Sequence, residues 1–232
     1  MPERRIINSL HVAIAASLLA FSAFGCNSNK DQGTTKVAKA ASDTLSDSVL
    51  TEKLEAGRYE GNPQAPIWVV MVSDFQCPYC KVWHDSTLAD VRRDYVSTGR
   101  ARLAYLNLPL QMHQHASVMA TAAMCAGAQN KFWPFADSLF AKQSTIAKSP
   151  SAEPAIQTTA RDVNLDSAAF AHCRSSHVVS SVIGGDVRQA EQAKIQATPS
   201  FFVGQFVLEG AVPYNIFKRA IDSALVIAAQ KR

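Results

Sequence analysis

A pair of cysteines, Cys77-Pro78-Tyr79-Cys80, lies between an apolar run and a helical pattern and constrains the fold more than any other feature. Residues 67–73 are continuously apolar and rich in β-branched side chains, which is typical of a strand covered on both faces. The residues after Cys77 follow a helical pattern that Gly99 ends. The motif is therefore predicted at a strand-to-helix junction, with Cys77 at the helix N-terminus and Cys80 one turn along.

This placement predicts a redox-active dithiol. Free N–H groups and the helix dipole stabilise a thiolate at Cys77, and pKa values of about 3.5–7.5 are known for such cysteines. Pro78 as the first helical residue loses no hydrogen bond. The alternative is half of a zinc site, but the chain has no second closely spaced cysteine pair to complete one. We therefore predict catalytic cysteines at 77 and 80, with the dipeptide Pro78-Tyr79 between them, and no metal or other cofactor.

The N-terminal residues have the layout of a secretory signal peptide. Arg4 and Arg5 precede an almost wholly apolar stretch at 12–24, and Gly25 stands before Cys26. An uncleaved anchor helix is the alternative, although the apolar stretch is short for a membrane span. We predict a signal peptide at 1–25 and export to the periplasm or another extracytoplasmic space.

Cys26 is a candidate for lipidation. The residues at 23–26 resemble the bacterial lipoprotein box, in which the cysteine becomes the first residue, and ordinary signal cleavage at the same bond is the alternative. Residues 26–60 are predicted to form a flexible polar tether, because they contain no large apolar cluster. The chain has five cysteines, so a lipidated Cys26 leaves an even number for disulfides in an oxidising compartment.

The remaining pattern predicts an α/β domain over residues 61–232. A second strand is expected at 101–108, a long helical region at about 112–195, a hairpin at 200–208 and a C-terminal helix from Pro213. The helical region is too long for a single crossover between strands, so it is predicted to form an inserted subdomain. A break or kink is expected at Gly184-Gly185, before the last helical stretch.

A second local signal is Thr198-Pro199, directly before the apolar segment at 200–203. Proline just before a core strand can mark a cis peptide, although only about 5–6% of X–Pro bonds are cis. By itself the dipeptide is weak evidence. Together with the cysteine motif it is strong.

The segments at 74–84 and 198–203 resemble the active site and the cis-proline loop of DsbA-like proteins of the thioredoxin superfamily. The resemblance implies a thioredoxin-like fold with a helical insertion, an exposed attacking Cys77 and a buried resolving Cys80. It also implies a cis Pro199 opposite them, with the Thr198 backbone pairing to an extended substrate segment. Residues 122–133 resemble the branch that carries a second disulfide, and Cys125 with Cys173 would supply it. Two unpaired buried thiols are the alternative.

The function predicted from this resemblance is thiol–disulfide exchange on exported client proteins that contain cysteines. Oxidation of clients is favoured, with an unidentified redox partner resetting the pair and a lipid anchor on the membrane. A reductase or isomerase is the first alternative, because Pro78-Tyr79 differs from the Pro-His of the archetypal oxidant. A Cu(I) metallochaperone using Cys77, Cys80 and His84, or a non-catalytic folding chaperone, are further alternatives.

Other polar residues near the motif leave two interpretations each. Asp74 can tune the cysteines or cap the turn, and His84 can share their helix face or simply pack. His113 and His115 are expected to be ordinary loop residues and not metal ligands. The formal charge of +4 is small and no basic stripe is present, so no nucleic-acid partner is expected.

Overall fold

The computed structural model describes residues 46–230, which form a five-stranded mixed sheet with helices on both faces. The strands lie in the spatial order β1-β3-β2-β4-β5. Their bounds are β1 Tyr59–Glu60, β2 Ile67–Ser73, β3 Ala101–Asn107, β4 Ser200–Val203 and β5 Phe206–Glu209. β2 and β3 are parallel, and the other three pairings are antiparallel.

The helix after the cysteine motif is continuous but changes its winding. It runs through α2 (Pro78–Trp83), a π-helical turn (His84–Leu88), α3 (Ala89–Val91) and a second π-helical turn (Arg92–Val96). The other helices are α1 Asp47–Gly57, α4 Ala116–Gly127, α5 Phe132–Ala147, α6 Glu153–Asp162, α7 Ser167–Ser175, α8 His177–Gln192 and α9 Tyr214–Gln230. Helices α4 to α8 lie between β3 and β4, as the predicted helical insertion requires.

The predicted tether extends too far along the chain. Helix α1 and strand β1 occupy positions that were assigned to it, with Leu50 and Leu54 buried on one face of α1. Ser46 caps the helix by accepting a hydrogen bond from Val49 N. Gly57 packs so closely on Gly127 of α4 that a Cβ at Gly57 would lie 2.1 Å from the Gly127 oxygen. The folded domain therefore includes residues 46–60, and the predicted boundary at residue 61 is wrong.

The expected break at Gly184-Gly185 is also wrong, because α8 runs through both glycines. The buried carboxylate of Asp186 connects this helix to two other parts of the domain. The carboxylate accepts hydrogen bonds from Arg58 Nη1 at 2.6 Å and from Asn107 Nδ2 at 2.8 Å. All three residues are buried, so the network joins the end of α1 and the end of β3 to α8.

The larger apolar cluster lies on one side of the sheet and contains both motif cysteines. It includes Val69 and Met71 from β2, which alternate along the strand with residues of a smaller cluster on the opposite side. Inside the larger cluster Phe75 stacks on Tyr105, with ring centroids 4.9 Å apart. The cysteines therefore lie against an apolar core rich in aromatic side chains.

A disulfide joins Cys125 in α4 to Cys173 in α7, with Cα atoms 5.7 Å apart. Both residues are buried among the apolar side chains of the insertion. The bond closes a sequence separation of 48 residues. It ties the first helix of the insertion to the fourth.

The predicted signal peptide at 1–25 and the candidate lipidation site Cys26 lie outside the described residues. So does the first part of the predicted tether. Within the residues that the structure does describe, no helix is both long and apolar enough to cross a membrane.

Candidate active site

Cys77 occupies the N-cap of α2 with an extended backbone (φ −70°, ψ 122°), and Pro78 follows inside the first turn. The turn after β2 places Cys77 directly before the first residue of α2. Its sulfur therefore lies beside the free N–H groups of the first helical turn. Cys80 lies within that turn. Both cysteines are free thiols.

The expectation of an exposed Cys77 is wrong for this dithiol structure, because only 4% of the residue is accessible. The cause is the segment before β4, which covers the sulfur. Cys77 Sγ donates a hydrogen bond to the Thr198 carbonyl oxygen at 3.3 Å. Cys80 is more deeply enclosed, at 1% accessible.

The surroundings push the pKa values of the two thiols in opposite directions. A hydrogen bond from the Cys80 thiol is the largest cause that lowers the pKa of Cys77, which falls to about 6 although burial acts in the opposite direction. The backbone N–H groups of Cys80 and Tyr79 add to this. Burial, followed by the neighbouring Cys77, raises the pKa of Cys80 well above its usual range. As the pH rises, Cys77 therefore loses its proton before Cys80 does.

The Thr198–Pro199 peptide is cis and lies beside the cysteines. β4 begins at Ser200, which pairs with Val72 near the end of β2. Because the cysteine turn starts directly after β2, this register brings Thr198 and Pro199 to the same end of the sheet. Tyr79 is 65% exposed and forms part of the surface around the site.

Gln143 of α5 fixes the cysteine turn from the side of the insertion. Its Nε2 donates to the carbonyl oxygens of Phe75 at 2.8 Å and Cys77 at 2.9 Å, and the side chain is buried. Sequence reasoning missed this residue, since a glutamine within a helical pattern carries no signal of a contact so distant in the chain. The helical insertion is thus part of the active-site scaffold.

Asp74 caps the turn, which is one of its two predicted roles. Its Oδ1 accepts from Gln76 N at 2.7 Å, and its Oδ2 accepts from Leu110 N at 2.8 Å. His113 Nδ1 lies 2.7 Å from the same Oδ2. His113 therefore anchors its loop to the turn, and residues 46–230 contain no cluster of side chains suited to holding a metal ion.

His84 is a packed helix residue. Its Nε2 lies 2.8 Å from Asp137 Oδ1, its Nδ1 lies 3.0 Å from Asp85 Oδ1, and its ring contacts Phe140. Both ring nitrogens are thus engaged by carboxylates. This arrangement leaves neither nitrogen free as a third ligand for a Cu(I) ion at the cysteines.

Replacing Gln143 with Glu is expected to destabilise the cysteine turn. A carboxylate cannot donate to the two carbonyl oxygens, so two buried hydrogen bonds are lost and the free energy of unfolding falls by about 2 kcal/mol. The negative charge beside the turn should also raise the pKa of Cys77 and slow its alkylation at pH 6. Chemical denaturation and alkylation kinetics test this. Gln129→Glu, which loses one exposed side-chain bond to Asp166 O, is the matched control. Unchanged alkylation in Gln143→Glu would contradict the assigned role.

The sequence matches a known protein family. A protein-family model described as Thioredoxin matches residues 53–223, most of the chain. The chain belongs to the thioredoxin family. The match begins inside α1 and ends inside α9, so this thioredoxin-family domain includes the helical insertion and both cysteine pairs.

Individual relatives define the branch of the family. The probable disulfide bond formation protein D of Bacillus cereus is 24% identical over 95% of this chain and 94% of its own length. The crystal structure of Wolbachia pipientis alpha-DsbA1 superimposes with a TM-score of 0.67 at 22% identity, covering 75% of this chain and 93% of that one. BdbD from Bacillus subtilis gives 0.65 at 22% identity, covering 72% and 92%. The predicted thioredoxin-like fold is confirmed, and the chain is a DsbA-like protein disulfide oxidoreductase.

Proposed function

We propose that this thioredoxin-family protein oxidises cysteine pairs in exported client proteins through a Cys77–Cys80 disulfide. The observation that carries the proposal is the low pKa of Cys77, about 6, beside a Cys80 whose pKa is raised. A thiol of low pKa is a good leaving group and a stable thiolate, so its disulfide is a strong oxidant.

The exchange has two steps. A client thiolate attacks Cys77 Sγ, a client–Cys77 bond forms, and the Cys77–Cys80 bond breaks with its electron pair going to Cys80. A second client thiolate then attacks the client sulfur of the mixed disulfide and releases Cys77 as a thiolate. The client gains a disulfide, and the protein leaves as a dithiol that a redox partner must reoxidise.

The segment around the cis peptide is proposed to bind the client. The Thr198 carbonyl reaches Cys77 Sγ, so an extended client segment that pairs with the Thr198 backbone would bring its own sulfur to Cys77. Pro199 lies directly before β4 and has no backbone N–H that could pair with a neighbouring strand. Pro78 and the exposed Tyr79 border the same surface.

We also propose export by the signal peptide at 1–25 and a membrane anchor through a lipid on Cys26. A cysteine that follows a cleavable apolar segment and heads a polar stretch fits this arrangement. Clients would then be extracytoplasmic proteins with unpaired cysteines, met at the membrane surface. Labelling cells with a radioactive fatty acid and comparing the wild type with Cys26→Ala tests the anchor.

The test of direction is the reduction potential of the Cys77–Cys80 pair, measured in glutathione buffers. An oxidase is expected to have a potential of about −180 to −120 mV, the range that protein disulfide isomerase and DsbA span. A value near −270 mV would instead support the alternative, a reductase. Oxidation of a reduced, unfolded client followed in parallel distinguishes an oxidase from an isomerase or a chaperone, because a chaperone would keep its activity after both cysteines are replaced by Ser.

A further inference from the structure

Two buried hydroxyl groups near Cys80 have no hydrogen-bond partner. Ser73 is the last residue of β2 and Tyr105 lies on the adjacent strand β3, and each is 1% accessible. Neither the Ser73 hydroxyl nor the Tyr105 hydroxyl has a hydrogen-bond partner. Buried hydroxyls in native proteins are nearly always paired, so unpaired ones at a reactive centre call for a chemical explanation.

Ser73 stands between Tyr105 and the resolving cysteine. Burial is the main cause that raises the pKa of Cys80, and the Ser73 hydroxyl acts against it. Burial also raises the pKa of Tyr105, followed by the charge on Cys80, and Ser73 again acts in the opposite direction. The Ser73 hydroxyl is therefore near enough to influence both groups, and the sulfur of Cys80 is the one of the two that changes charge during exchange.

No free carboxylate competes for this position among the neighbours on the turn. Asp74 is already bonded to the backbone N–H groups of Gln76 and Leu110, and its Oδ2 also meets His113. The other titratable neighbours of Cys80 are Cys77, which is the exchange partner itself, and Tyr105 on β3. Ser73 is thus the side chain placed to donate a hydrogen bond to Cys80.

We propose that the Ser73 hydroxyl donates a hydrogen bond to the Cys80 sulfur whenever that sulfur is a thiolate, with the Tyr105 hydroxyl donating in turn to the Ser73 oxygen. Attack of a client thiolate on Cys77 breaks the disulfide and leaves the electron pair on Cys80. In the reverse step the Cys80 thiolate attacks Cys77 of a mixed disulfide and expels the client thiolate. The Cys80 thiolate is the product of the first step and the attacking group in the second. The proposal therefore rests on exchange at this pair and not on the direction of exchange.

The experiment isolates the step that uses Cys80. The mixed disulfide of Cys77 with glutathione is prepared, and release of glutathione by Cys80 is followed by stopped flow across a range of pH. Ser73→Ala is expected to shift the pH profile of this step upward and to slow it about tenfold at neutral pH, because a hydrogen bond to a charged group is lost. Alkylation of Cys77 in the reduced protein should be almost unchanged.

Three further variants test whether the Ser73 hydroxyl is responsible for the shift. Tyr105→Phe should shift the profile in the same direction by a smaller amount, and Ser73→Thr, which retains the hydroxyl, should restore it. Thr159→Val removes another buried hydroxyl, one bonded within the insertion to Ser138 and Lys142, and should leave the profile unchanged. If Ser73→Ala does not fold, the Tyr105→Phe profile decides.

An unshifted profile in folded Ser73→Ala would overturn the role of Ser73 and leave the exchange proposal intact. If Ser73→Ala does not fold, an unshifted profile in Tyr105→Phe overturns it in the same way. Failure of the wild type to release glutathione through Cys80 would overturn the exchange chemistry itself, and the role of Ser73 with it.

Discussion

Replacing Cys80 with Ser is expected to convert the protein into a trap that accumulates disulfide-linked complexes with its clients through Cys77. Cys77 stays reactive because the helix N-terminus still stabilises its thiolate, which attacks client disulfides and releases one client sulfur as a thiolate. Without Cys80 the protein has no resolving sulfur to displace the client from Cys77. Cys77→Ser should reduce exchange to the uncatalysed rate.

Non-reducing gels of the two variants, expressed in the wild-type location, test this asymmetry. Complexes that disappear on reduction are expected with Cys80→Ser and not with Cys77→Ser. The double variant is the control for chance pairing with other cysteines. Equal trapping by the two single variants would show that the roles of the cysteines are not separated as the pKa values indicate.

Removing the disulfide of the insertion should have the largest effect on stability. In the chain-entropy model, closing a loop of 48 residues stabilises the fold by roughly 4 kcal/mol. Replacing Cys125 and Cys173 together by Ala should therefore lower the free energy of unfolding by about that amount. Guanidinium denaturation of the oxidised protein measures it.

A matched control separates the cross-link from the loss of two buried sulfurs. Cys77→Ala with Cys80→Ala also removes two buried cysteines, but the loop that those cysteines close is very short. The control should lose much less than 4 kcal/mol when measured against reduced wild type. If the two double variants were destabilised equally, the cross-link itself would contribute little and packing would account for the loss.

Local patterns were sufficient to predict the core of the site. A continuous apolar strand, a cysteine pair at the head of a helix and a proline before β4 each depend on residues adjacent in sequence. For that reason β2, α2 and the cis Pro199 segment lie where they were expected. The helical insertion also followed from chain length and periodicity.

What the sequence could not show depends on contacts between distant residues. In helix α1 only Leu50 and Leu54 are buried, and the surrounding residues are mostly polar, so the sequence resembles a tether. The helix becomes evident only from its packing against α4 and α8. Gln143 reaches the cysteine turn from a different part of the chain. The low exposure of Cys77 likewise depends on Thr198, which only the folded sheet brings over it.

The most direct test of the central claim is alkylation of the reduced protein as a function of pH, with each cysteine followed by peptide mapping. Cys77 should react first, with a rate that rises through a midpoint near pH 6, because the thiolate is the reactive form. Cys80 should remain unlabelled until well above pH 9, since burial raises its pKa. Labelling of Cys80 before Cys77, or a Cys77 midpoint at the ordinary thiol value of about 8.5, would contradict the account.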